Sequence, residues 1–270
     1  MKDKIKVAVS GANGRMGREV CQAVMAEDNL ELVAAYDLQG EGQDLSSILE
    51  EANDNLGVYL QKLSKENLKS TKPDVMVDFT TPMSAVENVE LALENDVRPV
   101  VGTTGFTEVD ISNISEQVDE KGIGAIIAPN FALGAVLMMK FASWAAKYFP
   151  QAEIIETHHD KKIDAPSGTA IKTAELIDEN RSDTPPERED LLKLPGARGG
   201  VQKNVHIHSL RLKGPIAQQE VIFGEKGQTL TIRHDSYHRS SFMPGVVLAI
   251  NKVMEINGLI FGLENLIGEE

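Results

Sequence analysis

Two histidines and two lysines fall within the five positions His158-His159-Asp160-Lys161-Lys162, and the run Pro166-Ser167-Gly168-Thr169 follows closely. Imidazole and ammonium groups carry and deliver protons and attract anions. Beyond the run, Ile171, Ala174, Leu176 and Ile177 repeat at helical spacing. Ser167 or Thr169 is therefore expected to cap a helix starting near Ala170, whose first N–H groups and dipole favour a carboxylate or phosphate. Cationic side chains followed by backbone donors describe an anion site with proton donors attached. The same run, taken alone, also fits a solvated charged loop with an ordinary cap.

The elements around it bear on that choice. Glu153-Ile154-Ile155-Glu156 reads as a strand leading into the histidines. Near the start, the buried-strand pattern Ile5–Val9 runs into Ser10-Gly11-Ala12-Asn13-Gly14-Arg15-Met16-Gly17, and the helical spacing of Val20, Val24 and Met25 follows. A second strand, Glu31–Tyr36, closes on Asp37. The glycines at 11, 14 and 17 make a GxxGxxG variant of the dinucleotide fingerprint. Glycine permits the tight turn and the close approach of a pyrophosphate, and an acid ending the second strand can accept from ribose hydroxyls.

Strand and helix alternate onward: Val75–Phe79, Pro82–Asn95, Pro99–Gly102, Ile111–Glu120 and Ile123–Ala128. That alternation predicts a doubly wound parallel sheet, α/β and Rossmann-type, with ligands beyond the carboxyl ends of its strands. Phe79-Thr80-Thr81, Gly102-Thr103-Thr104 and Ala128-Pro129-Asn130-Phe131 follow strands and would line that edge. In residues 40–72 only Leu45, Ile48 and Leu49 suggest a short helix. Leu133–Phe149, with Met138, Met139, Phe141 and Trp144, reads as a core helix. Residues 180–204 are rich in Pro, Gly and charge and read as a mobile or partner-stabilised loop. The β-like segments 205–211, 219–223 and 230–233 predict a mixed or antiparallel sheet in a second, α+β domain, and a last helix spans about Pro244 to Ile256.

The chain has 27 basic and 41 acidic residues, a formal charge of −14, which excludes a phosphate-tracking nucleic-acid surface. One cysteine, Cys21, excludes an internal disulfide framework and is expected to pack in a helix. No apolar run is long enough for a membrane span and no signal-peptide pattern opens the chain, so a cytoplasmic protein with no membrane partner is expected.

These motifs together resemble the 4-hydroxy-tetrahydrodipicolinate (dihydrodipicolinate) reductase family: Gly11–Gly17, Val101-Gly102-Thr103-Thr104-Gly105, Ala128–Phe131, and Glu156 through Lys162 to Asp164-Ala165-Pro166-Ser167-Gly168-Thr169-Ala170. The resemblance covers essentially the whole chain and implies NAD(P)H-dependent reduction of a small dicarboxylate cyclic imine in lysine and diaminopimelate synthesis. By it, Gly11, Ala12, Asn13, Gly14, Arg15, Met16, Gly17, Asp37, Phe79, Thr80, Gly102, Thr103, Thr104, Ala128, Pro129, Asn130 and Phe131 fall on cofactor positions. His158 falls on the acid/base residue, Lys162 on the proton donor, and His159, Lys162, Ser167, Gly168 and Thr169 on substrate contacts. It further implies a dinucleotide-binding domain (1–129), a substrate-binding and oligomerisation domain (130–240), a C-terminal helix returning to the first domain (241–270), and a homotetramer.

Leu38 and Gln39 stand where family members that use the phosphorylated cofactor often carry Arg, and Asp37 would repel a 2′-phosphate. NADH is thus expected to be preferred, with Lys4, Lys6 and Arg15 as cations able to rescue NADPH. Gln218 replaces a common family histidine. The adjacency of His158, His159 and Asp160 matches no common zinc spacing, so no metal is expected. The rival readings are another two-domain amino-acid-pathway dehydrogenase and a non-catalytic dinucleotide-sensing module. The Pro-Ser-Gly-Thr run beside the histidine pair argues against the former, and the latter, which needs no proton donors, would leave a Lys162→Ala variant functionally intact.

Overall fold

The computed structural model describes residues 3–49, 55–184 and 191–267. The chain divides into two compact units, Met1–Phe131 with Phe242–Glu270, and Ala132–Ser241. In the first, β1 (Ile5–Ser10), α1 (Arg15–Ala26), β2 (Leu30–Tyr36), β3 (Leu60–Gln61), α2 (Lys65–Thr71), β4 (Val75–Asp78), α3 (Pro82–Glu94), β5 (Arg98–Val101), α4 (Glu108–Lys121) and β6 (Gly124–Ile127) follow in order. The central strands are short apolar runs; every residue of β4 and β6 is buried, as parallel strands covered on both faces must be. Local chemistry sets the helix ends. Pro82 opens α3, a reciprocal Thr107–Asp110 box opens α4, and Gly122 in the left-handed region closes α4.

The second unit comprises α5 (Leu133–Ala146), β7 (Gln151–His159), α6 (Gly168–Asn180), β8 (Gly200–Gln202), β9 (Val205–Leu212), β10 (Ala217–Glu225) and β11 (Gln228–Ser236). Its five strands run β11-β10-β7-β9-β8; β7 and β9 are parallel and the other pairs antiparallel, so the sheet is mixed. The β10–β11 hairpin turns through Lys226-Gly227, with Gly227 at φ +77°. The buried residues Ile154, Ile207, Val221 and Phe223 share one face of this sheet with Glu156 and Gln219. Ile155, His206, His208, Glu220 and Ile222 point to the other.

The chain then returns to the first unit as α7 (Met243–Val253) and β12 (Gly258–Phe261). Its sheet is wholly parallel, in the order β12-β6-β5-β4-β1-β2-β3. The order reverses between β1 and β4, which is the switch point where doubly wound sheets bind ligands. The doubly wound sheet and the second mixed sheet are as expected from sequence.

Several local expectations fail for identifiable reasons. The last segment carries a strand as well as a helix. Of the helix expected at Leu45–Leu49, only a 3₁₀ turn at Leu45–Ser47 forms, because the Asp44 carboxylate accepts from the Ser46 and Gly57 N–H groups and closes a loop instead. β3 and α2 were not anticipated: β3 is two residues long, and α2 buries only Leu68, so neither leaves a periodic signal. In α5, Met138 and Met139 are core, but Phe141 and Trp144 are 52% and 63% exposed. They lie with Leu137 and Tyr148 on the outer stripe of a helix that is apolar on several faces, so periodicity could not separate inside from outside. Met25 is likewise 42% exposed. Of the loop read at 180–204, residues 185–190 lie outside the described residues.

Gly17 sets the approach of α1 to the sheet, since a Cβ there would lie 2.0 Å from the Gly11 carbonyl oxygen and 2.7 Å from the Ala12 Cα. A Cβ on Gly200 would meet nothing within 4 Å. Gly17→Ala is therefore expected to lower stability by about 1–3 kcal/mol, and Gly200→Ala to change it by no more than about 0.5 kcal/mol. Urea unfolding of the two variants checks this; an unchanged midpoint for Gly17→Ala would refute the packing role.

Candidate active site

Along the carboxyl edge of the parallel sheet, the chain turns sharply after β1. Gly11 and Ala12 both donate their N–H groups to the Tyr36 carbonyl, at 2.8 and 3.1 Å. Gly11 sits at φ +78°, and a Cβ there would lie 2.7 Å from the Phe79 carbonyl oxygen. Asp37 takes the Asn13 N–H on one oxygen at 3.0 Å and the Gln39 N–H on the other at 2.9 Å. Arg18 braces the turn from α1, donating to the Asn13 carbonyl and side chain and to the Ile48 carbonyl. α1 begins after the exposed Gly14, with no side-chain cap and no acid in its first turn; Arg15 there is exposed and Met16 half-buried. Its first N–H groups are thus left for an anion, and the glycine turn and Asp37 fit a dinucleotide without alteration.

A buried carboxylate holds the neighbouring loops. Asp78, wholly buried at the end of β4, accepts from the Thr80 N–H (3.0 Å) and hydroxyl (2.7 Å), the Asn88 amide (2.7 Å) and the Thr103 hydroxyl (3.2 Å). Phe79 lies over Gly102, where a Cβ would be 2.1 Å from the ring, and its centroid is 5.8 Å from that of Phe131. Thr104 is exposed beside the buried Thr103. After β6, Ala128 is buried, Pro129 exposed and Asn130 half-buried. The predicted cofactor positions of the first unit therefore stand at the ends of β1, β2, β4, β5 and β6.

In the second unit, strand alternation puts Glu156 and His158 on one face of β7 and His159 on the other. Glu156 is fully buried. Arg211 on β9 grips it with two donors, Nη1 to Oε2 and Nη2 to Oε1, both at 2.9 Å. The Ser167 N–H donates to Oε1 at 3.2 Å, and His158 Nδ1 lies 2.5 Å from Oε2. Burial alone would raise the carboxyl pKa, but the bonds from His158, Arg211 and Ser209 outweigh it and hold the group down at about 2. An ionised carboxylate only accepts, so Nδ1 of His158 carries the hydrogen and Nε2 is left for another partner.

Arg211 also donates from Nη2 to the Asp164 carbonyl at 2.6 Å. The Asp164 carboxylate in turn accepts from Lys162 Nζ at 2.7 and 2.9 Å, and that bond holds its pKa below the usual carboxylate range. Ser167, not Thr169, caps α6, accepting the Ala170 N–H at 3.2 Å, so the helix begins at Gly168. A Cβ on Gly168 would meet nothing within 4 Å, which leaves the helix start open to an approaching group. The turn is fixed from beneath by the Thr173 hydroxyl on the Thr169 carbonyl (2.7 Å), with Gln219 donating to Thr173 (2.8 Å). His159 Nδ1 is buried without a partner among the described residues.

One hydrogen-bonded network thus links His158, Lys162 and Ser167, while His159 stands across the strand from it. Sequence reasoning missed Glu156 and Arg211 as members. Their signals were available: Glu156 is a carboxylate two positions before His158 on an apolar strand, and Arg211 alternates in phase with Val205 and Ile207. His206 and His208 bond instead to the Arg198 carbonyl and Glu153. Among the described residues, no group of three or more His, Cys, Asp or Glu is placed to hold a metal, and no helix is long and apolar enough to cross a membrane.

Comparison with known proteins places these features in a family. Residues 5–131 match the model for the N-terminus of dihydrodipicolinate reductase, and residues 134–267 the model for its C-terminus. A 4-hydroxy-tetrahydrodipicolinate reductase from Bacillus licheniformis is 52% identical over 98% of this chain and 99% of its own. One from Listeria welshimeri is 54% identical over 97% of this chain and 100% of its own. The solved dipicolinate-bound dihydrodipicolinate reductase from Paenisporosarcina sp. TG-14 superposes with a TM-score of 0.86 at 49% identity, covering 98% of this chain and 100% of that one.

The depressed Glu156 pKa fixes the sign of a pH effect. A carboxyl whose folded pKa lies below its unfolded value of about 4.5 stabilises the fold above that value, and the contribution is lost as pH falls toward about 2. The shift corresponds to stability on the order of 3 kcal/mol. The double variant Glu156→Gln with Arg211→Met, which removes both charges, is expected to lose less stability than wild type between pH 4.5 and 2 (about those values) in acid unfolding followed by circular dichroism. Parallel acid limbs would contradict the network.

Proposed function

The chain belongs to the dihydrodipicolinate reductase family and reduces 4-hydroxy-tetrahydrodipicolinate to tetrahydrodipicolinate with a reduced pyridine nucleotide, in lysine and diaminopimelate synthesis; from this premise we propose the roles of its residues. The observation that carries them is the buried Glu156–Arg211 clamp, which ties His158 and the loop of Lys162 to the start of α6.

The residues that would hold the nucleotide stand along the strand ends of the first unit. The N–H groups at the start of α1 and the turn Gly11-Ala12-Asn13-Gly14-Arg15-Met16-Gly17 take its pyrophosphate, and Asp37 takes a ribose hydroxyl. Phe79, Thr80, Gly102, Thr103, Thr104 and Ala128-Pro129-Asn130-Phe131 line the edge beside it. A reduced nicotinamide, when bound, supplies hydride to the substrate ring. Ser167, Gly168 and Thr169, at a helix start left open at Gly168, hold one substrate carboxylate, and the His159 Nδ1 atom, unpartnered among the described residues, suits a polar substrate group. Lys162 delivers the proton that accompanies reduction, and His158, through Nε2, acts as the acid/base group.

NADH is the preferred cofactor. Both Asp37 oxygens are fixed by backbone N–H groups, so its charge cannot turn away from a 2′-phosphate. Leu38 and Gln39 offer no cation, and Lys62 in the neighbouring loop is paired with Glu41 at 3.3 Å. The protein works in the cytoplasm as a homotetramer built through the second unit, whose open sheet face carries Leu210 at 38% and Val201 at 62% exposure.

Following NADH and NADPH absorbance with substrate generated from pyruvate and aspartate semialdehyde tests these roles. Lys162→Ala and His158→Ala are each expected to lower kcat about a hundredfold. NADH oxidation that persists in both variants removes the roles, and nucleotide binding without any oxidation by wild type points to a sensing module. A several-fold lower KM for NADPH than for NADH overturns the cofactor preference. Light scattering at working concentration should give four times the chain mass, and a monomer would remove the tetramer.

A further inference from the structure

We infer that Glu156, locked by Arg211, is a positioning residue for the reduction: it orients the His158 ring so that Nε2 is the nitrogen that exchanges a proton. This rests on the reading of His158 as the acid/base group. Glu156 is the only residue here whose carboxylate reaches the His158 ring, at 2.5 Å from Nδ1, among the bonds of the described residues. A ring held by a single bond can still rotate or change tautomer, so the orienting carboxylate must itself be immobile. Glu156 meets that demand: it is fully buried, and its two oxygens are engaged by Arg211 in a planar two-point grip and by the Ser167 N–H.

Arg211 does more than balance charge. Its Nη2 also holds the Asp164 carbonyl, in the segment whose side chain holds Lys162. The same guanidinium therefore fixes the base of His158 and the loop of Lys162. A bare Glu156 beside His158 could share the proton; with Arg211 beside it, the carboxylate stays ionised and the exchangeable proton stays on the imidazole.

Glu156→Gln keeps the shape but presents a neutral amide, and the paired Glu156→Gln with Arg211→Met guards against failure to fold from an unpaired guanidinium. Each is to be compared with wild type, with His158→Gln, and with the combination of both changes. The expected result is a kcat lowered by about tenfold to a hundredfold, an unchanged KM for NADH, and, for Glu156→Gln, no further loss beyond about twofold when the change is added to His158→Gln; the paired variant, which also releases the Asp164 carbonyl, is read by its His158 tautomer. In ¹⁵N spectra of histidine-labelled enzyme, assigned by the signal missing in His158→Gln, the wild-type His158 should hold its hydrogen on Nδ1, and the variants should show a mixture of tautomers.

An equal loss of kcat on Glu156→Gln with and without His158, or an Nδ1–H signal unchanged in the variants, overturns the positioning role while leaving the acid/base role standing. Full activity in His158→Gln removes the acid/base role itself. The two failures are thereby told apart.

Discussion

A carboxylate taken out of water must be met by donors from every side, and each unit of this protein is organised about one such group. Asp78 ends β4 and Glu156 lies near the end of β7, and both are fully buried. Leaving either unsatisfied would cost far more than any single contact near it contributes. The donors therefore come both from neighbouring elements, with Asn88 on α3, His158 on β7 and Arg211 on β9, and from loops, with Thr80, Thr103 and Ser167. Around Asp78 these are Thr80, Asn88 and Thr103; around Glu156 they are His158, Ser167 and Arg211. In each unit the polar demand of one side chain becomes the geometry of several loops.

This explains how candidate positions on connecting segments are held by hydrogen bonds. The glycine turn after β1 is held in the same way, by the Asp37 carboxylate on the Asn13 N–H together with the Tyr36 carbonyl and Arg18. Gly17 lets α1 come close enough that the first N–H groups of that helix and the turn form one surface. At α6 the start of the helix is pinned from two directions, by Ser167 on Glu156 and by Gln219 through Thr173. Two helix N-termini are thereby presented without acidic side chains in their first turns, as anion binding requires.

What could be read from the sequence follows the range of each signal. The strands β1, β2, β4, β5 and β6 and the helices α1, α3 and α4 declared themselves through apolar runs and periodicity, and the hairpin β10–β11 through Gly227. β12 escaped because Gly258-Leu259-Ile260-Phe261 is a short apolar run after a helix, and only its pairing with β6 makes it a strand. The histidine, lysine and Ser-Gly-Thr members of the site share one stretch of chain. Arg211 lies far along the chain from Glu156, and nothing local marks an arginine that will meet a carboxylate across a parallel strand pair. Asp78 was legible as a strand residue but not as a hub, since its partners Asn88 and Thr103 come from two other elements.

Of the cationic cluster apparent in the sequence, His158 and Lys162 are paired in the fold, and Arg211 joins them from β9. Arg211 and His158 rest on Glu156, and Lys162 on Asp164. These pairs are not equivalent. The Glu156–Arg211 pair is buried and two-pronged, and breaking it would strand a charge. Asp164 is 66% exposed, and exposed pairs of this kind contribute little net stability and are screened by salt. The Lys162–Asp164 pair can therefore be exchanged for another carboxylate at little cost, and the Glu156–Arg211 pair cannot. In a chain of net charge −14, an anion is then drawn to the cation whose partner is most easily exchanged, while the buried pair beneath keeps its place.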